Sequence, residues 1–156
     1  MTVERTADRV AIDGLLARYA DAVNTRRQER WRDVFTPDGV WDLGSMGVYR
    51  GIDAIVAGLT TQMQAFPELI HTIHQGLVRF DPRDASVAYG RRYFTEFGVS
   101  AAGEEGYFAG VYHDDYRRDA DGGWRVAIRR YAGLFSRRGT TVAMRPFPSD
   151  IPAVWV

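Results

Sequence analysis

Ile12, Leu15, Leu16, Tyr19 and Val23 lie three, one, three and four residues apart, which places them on one face of a helix. Thr6 before Ala7 supplies an N-cap, and the helix runs out at Asn24-Thr25-Arg26-Arg27. A short second helix follows with Trp31, Val34 and Phe35 on one side, ending at the turn signal Thr36-Pro37-Asp38-Gly39. Val40 to Leu43 reads as a strand, and Gly44 and Gly47 reverse the chain into a hairpin partner, Val48-Tyr49-Arg50. Ile52, Ile55, Val56, Leu59 and Met63 mark a third helix, closed by Phe66-Pro67. From there the period is two. Ile70–Phe80, Ala85–Phe97, Glu105–Arg118 and Gly123–Ser136 predict four long strands, joined by short polar or Gly-rich turns that suit antiparallel neighbours. Helices, a hairpin, a helix and then a meander make an α+β chain of one domain, 1–156. Its proline-broken, apolar tail, 142–156, is expected to pack on the body of the domain or on a neighbouring subunit.

Composition narrows the chemistry. All twenty basic residues are arginine and they balance twenty acidic ones, with no lysine and no cysteine among 156 residues. No Schiff base, P-loop lysine, thiolate, disulfide or cysteine-ligated metal is available. A nucleophile or base must come from Ser, Thr, Tyr, Asp, Glu or the three histidines. A 46% hydrophobic, 26% charged chain is ordinary for a globular protein, whereas 13% aromatic residues is generous. No apolar run reaches the ~20 residues that span a bilayer, and Met1 to Asp13 carries charge throughout without a signal core, so a cytoplasmic protein without membrane contact is expected. Zero net charge argues against nucleic acid as a partner.

Five Arg-Arg pairs occur, and those at 91–92 and 129–130 fall inside strands, where adjacent residues point to opposite faces. One arginine of each must face inward, toward a carboxylate or a ligand. In the last strand Arg130 shares a face with Trp124, Val126 and Ile128, and Arg129 with Tyr131 and Phe135; the period leaves the choice open. His71 and His74 are three apart on a strand and so face opposite ways, a poor arrangement for a metal. His74 shares its stripe with Thr72, Gly76, Val78 and Phe80, where a histidine is more often a hydrogen-bonded core residue than a catalyst. His113, beside Asp114 and Asp115, reads as a rim residue.

Taken together, Tyr19-Ala20-Asp21-Ala22-Val23-Asn24, Trp31 through Phe35-Thr36-Pro37-Asp38, Tyr49-Arg50-Gly51, His71-Thr72-Ile73-His74 and Gly122-Gly123-Trp124-Arg125 resemble the SnoaL-like group of the nuclear-transport-factor-2-like superfamily. Within it the chain is most similar to the branch of hexachlorocyclohexane dehydrochlorinase, scytalone dehydratase and the bile-acid dehydratases. The resemblance implies a cone-shaped α+β barrel, a curved and mostly antiparallel sheet wrapped around N-terminal helices, with an apolar pocket inside. It implies a homo-oligomer, a trimer before a dimer, with no metal and no organic cofactor. It assigns the catalytic histidine to His74, a substrate-contacting hydroxyl to Tyr19, a pocket tryptophan to Trp41 and, through Trp124-x-x-x-x-Arg129, an arginine beside the dyad to Arg129. The position of the dyad's aspartate holds Asn24, which orients a ring but supplies no charge and so argues against dehydrochlorinase-type elimination.

The expected function is therefore cofactor-independent acid/base chemistry on a small apolar or moderately polar molecule: a dehydratase, isomerase or cyclase. His74 is the base, Tyr19 a donor, Asn24 the orienter of His74 and Arg129 the stabiliser of developing charge. Trp41, Phe66, Val78, Tyr93, Thr95, Phe108, Gly110, Tyr112 and Tyr131 are expected to line the substrate pocket, while Glu96 is expected to face away from it. Two other classes stand beside this one. A binding or assembly module would have kept the pocket without the dyad. An epoxide hydrolase or cyclase would need an inward Asp–Arg pair, Asp42 with Arg129 or Asp114 with Arg91.

Overall fold

The structure, a computed structural model, describes residues 3–145. Helix α1 (Val3–Asn24) leads through a 3₁₀ turn (Gln28–Asp33) into β1 (Phe35–Asp42), a second 3₁₀ turn and the short β2 (Val48–Arg50). Helix α2 (Ile52–Ala65) then feeds the long strands β3 (Glu68–Phe80), β4 (Val87–Val99), β5 (Glu105–Arg118) and β6 (Trp124–Arg138), and β7 (Thr141–Met144) closes the described chain. One seven-stranded sheet runs β2-β1-β6-β5-β4-β3, with β7 also on β6. This is the mixed α+β cone, a curved sheet with its helices against the concave face.

Every residue of the α1 stripe is buried, from Ile12 and Leu15 to Tyr19 and Val23, against Trp31, Val34, Phe35, Trp41, Val78, Tyr116, Trp124 and Val126. Burying one apolar side chain of this size contributes about 1.5–3 kcal/mol, so the period-3.6 face is the main reason α1 docks where it does. The helix starts at Val3, ahead of the expected Thr6 cap. It stops beyond Asn24 with Arg26 in the left-handed region (φ 57°), whose guanidinium donates to the carbonyls of Phe66 and Pro67.

Two local expectations fail. Thr36-Pro37-Asp38-Gly39 does not separate elements: it lies inside β1 as a bulge, because Phe35 pairs with Val126 and Val40 with Ile128. Five steps along β1 thus match two along β6, and the Pro and Gly sit in the excess. The β1–β6 pairing is parallel, which a meander of neighbours did not foresee. At the other end, 141–144 forms a strand paired with β6; the expected packing of 146–156 lies outside the described residues.

Candidate active site on the inner face of the sheet

Irregularities in β3 and β6 decide which side chains reach the interior. In β3 the register against β4 shifts between Ile73 and Gly76. Before it, Leu69, His71 and Ile73 turn inward; after it Val78 and Phe80 do. The phase of the strand thus switches around residues 74–75, as a bulge requires. Gly76 makes the close approach feasible, since a Cβ there would lie 2.0 Å from the Arg91 carbonyl oxygen. His71 is consequently buried (2% exposed), while His74 is on the outside with Nε2 3.0 Å from the Thr95 hydroxyl. The assignment of His74 to the interior corrects to His71: His74 shares a uniform strand's face with Val78 and Phe80, and the strand is not uniform.

The same device settles the arginines. Between Val126 and Ile128 the register against β5 shifts, so Ala127 is extra and Arg129 joins Trp124 and Val126 inside. Arg129 is fully buried and donates from Nε and Nη2 to the two oxygens of Asp114, at 2.8 and 2.7 Å. Arg130 lies on the other face with Asp115 at 3.0 Å. Asp114 also accepts the Tyr116 hydroxyl at 2.8 Å. The rings of Tyr19 and Tyr112 sandwich the Arg129 guanidinium, whose carbon lies 4.1 and 4.2 Å from their centroids. Burial works against this charge, but the Asp114 carboxylate, with Tyr19 and Tyr112 adding to it, outweighs burial and holds the guanidinium well above its usual range. Neither Asp42 with Arg129 nor Asp114 with Arg91 is the pair formed; Asp42 instead accepts the Gly44 amide at 2.8 Å.

Asn24 does not touch an imidazole. Its amide brackets the main chain of His71, donating to the His71 carbonyl (2.9 Å) and accepting its N–H (2.7 Å). The ring of His71 reaches instead across the β3–β4 pair to Glu96, with Nδ1 2.6 Å from Oε1. His71 and Glu96 are direct cross-strand partners, so Glu96 is an inner-face residue, contrary to the expectation that it points away. His71 also stacks on Phe94, and its Nε2 is buried without a hydrogen-bond partner among the described residues.

The Glu96 carboxyl opens onto an apolar cavity of about 100 Å³, enclosed chiefly by Tyr19, Trp41, Phe66, Phe108, Tyr112 and Tyr131. Burial raises the pKa of the Tyr19 hydroxyl against the pull of Arg129, and raises that of Tyr112 strongly, with Tyr19 and Glu96 adding to the effect. Both phenols are therefore protonated hydrogen-bond donors at neutral pH. Of the expected lining, Trp41, Phe66, Phe108, Tyr112 and Tyr131 are on the wall. Val78 is core, and Gly110 is a spacer whose Cβ would strike the Phe94 ring at 2.6 Å. Tyr93 and Thr95 alternate with Phe94 and Glu96 and so face outward; Tyr93 is 41% exposed. Among the described residues no three His, Asp or Glu side chains are grouped to hold a metal ion, and no helix is long and apolar enough to cross a membrane.

Residues 4–130 match the SnoaL-like domain. The chain belongs to the SnoaL-like domain family. Of individual relatives, an uncharacterised Mycobacterium tuberculosis protein, Rv2910c, is 33% identical over 135 residues, covering 83% of this chain and 87% of its own. Solved structures share the cone fold. Hexachlorocyclohexane dehydrochlorinase LinA-type3 from Novosphingobium barchaimii superposes with a TM-score of 0.81 at 20% identity, over 92% of this chain and 98% of that one. A putative scytalone dehydratase from Novosphingobium aromaticivorans reaches 0.82 at 17% identity, over 97% and 99%. SnoaL-like membership and the superfamily fold thus agree with the sequence resemblance, and at these identities the structures speak for the fold alone.

Proposed function

We propose that this SnoaL-like protein is a cofactor-independent acid/base enzyme of the dehydratase, isomerase or cyclase type, and that Glu96 is its proton-transfer group. The observation that carries the reading is the 2.6 Å contact of Glu96 with buried His71 at the wall of an apolar cavity. With Nδ1 protonated, His71 donates to the carboxylate and fixes its position, leaving the other oxygen for a substrate C–H. Asn24 holds the His71 main chain, and with it the residue that positions Glu96, against the end of α1. The Tyr112 hydroxyl hydrogen-bonds to that of Tyr19 beside the sandwiched Arg129, and in this reading Tyr19 donates to an oxygen that gains charge as the proton leaves. The roles follow the superfamily logic of a His–carboxylate dyad, with the carboxylate on a strand and nearer the cavity.

A panel of cyclic ketones and β-hydroxy ketones tests this, followed by NMR for deuterium wash-in and for loss of water. A positioned base contributes roughly 10²–10⁴-fold, so Glu96→Gln should lower the rate by at least that lower figure while the ligand still binds. Undiminished wash-in by Glu96→Gln rejects the proposal. A second reading, a binding module without turnover, draws support from Asn24, whose amide meets the main chain of His71 and supplies no charge to its ring. In that case no panel member turns over, yet ligands still occupy the cavity.

A further inference from the structure

The mouth of the cavity carries two cations that the reading above leaves without a role. Arg138, near the end of β6, lines both the cavity and the outer depression into which it opens, and Arg145, just after β7, lines that depression. Among the described residues neither guanidinium has a carboxylate within salt-bridge distance, whereas neighbouring Arg137 is paired with Glu105. Arg138 is nonetheless held in place. Its guanidinium carbon lies 5.1 Å from the Phe108 ring centroid and 5.6 Å from that of Phe66, two rings that meet edge to face at 5.3 Å. Gly106 permits that packing, because a Cβ there would meet both rings at 2.9 Å. Tyr131, common to the cavity and its mouth, senses both cations: Arg145 and Arg138 each pull its pKa down against burial and Glu96.

We propose that the molecule taken by this site is an anion: a ring or short apolar body inside the cavity, bearing a carboxylate-like group that Arg138 and Arg145 receive at the mouth. An apolar cavity of about 150 Å³ holds benzene; the space here is about 100 Å³, so it suits a smaller apolar body, or a ring seated only in part, with the polar arm outside. A planar guanidinium matches a carboxylate through two parallel N–H bonds, and the aromatic pair pre-orders Arg138 for it. The neutral whole-chain charge conceals this local asymmetry, in which the mouth is basic and Glu96, the one carboxylate lining the cavity among the described residues, is tied to His71. The inference rests on the cavity being a small-molecule site and specifies its substrate class.

Titration calorimetry with 3-phenylpropanoate and its neutral amide, 3-phenylpropanamide, tests it. The wild-type protein should bind the carboxylate at least tenfold more tightly than the amide, with the preference shrinking as salt is raised. Arg138→Met keeps the apolar stem over Phe108 and should remove most of that preference without weakening the amide; Arg145→Gln should remove part of it. Equal binding of the two probes, or an unchanged preference in both variants, overturns the inference while leaving Glu96 untouched. If neither probe binds at millimolar concentration, the inference falls as well. Loss of wash-in by Glu96→Gln is a separate outcome, so the two readings fail separately.

Discussion

Among the described residues, two acid–base pairs join neighbouring strands across the inner face of the sheet, and they differ in what is left over. In the Asp114–Arg129 pair both side chains are wholly buried, both carboxylate oxygens are used, and a phenol adds a third bond. In the His71–Glu96 pair the imidazole is buried but the carboxylate is 23% exposed, onto a cavity, and uses one oxygen in the contact. Asp114 has both oxygens bonded, and Arg129 keeps Nη1 buried without a hydrogen-bond partner among the described residues, whereas Glu96 keeps an oxygen at the wall of an apolar cavity, where it can act on something that enters. The first pair therefore belongs to architecture, with the Tyr19 and Tyr112 rings stacked on its guanidinium, while the second is the pair on which the proposed chemistry rests.

The largest effect should come from breaking the closed pair. Asp114→Ala leaves Arg129 charged and unpaired in the interior and should cost about 3–5 kcal/mol, read by urea denaturation. A loss below 1 kcal/mol would mean that the pair is not the buried anchor described. Glu96→Gln comes next. It keeps the shape and much of the hydrogen bonding, so the change should be concentrated in turnover rather than in stability. A third test addresses Asn24. Asn24→Asp exchanges the donor that meets the His71 carbonyl for a second acceptor, and should cost about 1–3 kcal/mol. It should bring no gain in elimination rate, since the group faces main chain rather than the ring. A gain would place an imidazole at residue 24 after all.

Alkaline pH offers a measurement on the same stack. Burial lifts the pKa of Tyr19, Tyr112 and Tyr116 in the folded chain above the ordinary value of 10. A raised folded pKa stabilises below the unfolded value and is lost as pH climbs past it, so stability should be flat to about pH 9.5 and fall beyond it. Each such tyrosine contributes about 1.4 kcal/mol per pH unit in that window. Tyr112→Phe should make the descent shallower by one such contribution. The smallest effect is expected from His74→Ala, within about 0.5 kcal/mol and without change in turnover, since His74 is exposed and bonds only to Thr95 among the described residues.

The sequence pattern conveyed the elements well and the faces only in part. The α1 stripe, the α2 spacing and four long strands are all present, and Glu105–Arg118 has the expected bounds. Period-two reasoning lost its phase wherever a strand bulged. At residues 74–75 the slip exchanged His71 for His74; at Ala127 it left Arg129 and Arg130 undecided until the motif spacing chose between them. A bulge adds one residue and inverts every later side chain, and no local composition signal fixes its position. Glu96 was missed for a related reason. Its partner is fixed by the β3–β4 register, and a charged residue between Phe94 and Gly98 reads as solvent-facing until His71 is seen opposite it. The turn at 81–84 does not supply the register either: with 80 opposite 85, counting back sets 71 against 94, whereas Phe80 pairs with Ala88 and the slip between Ile73 and Gly76 sets His71 against Glu96.

The most direct test of Glu96 as the proton-transfer group is the rate of deuterium wash-in to a ketone that the wild-type protein enolises, compared between Glu96→Gln and His74→Ala. At least a hundredfold fall is expected in the first and the wild-type rate in the second. The reverse ranking, an active Glu96→Gln and an inactive His74→Ala, would contradict that role.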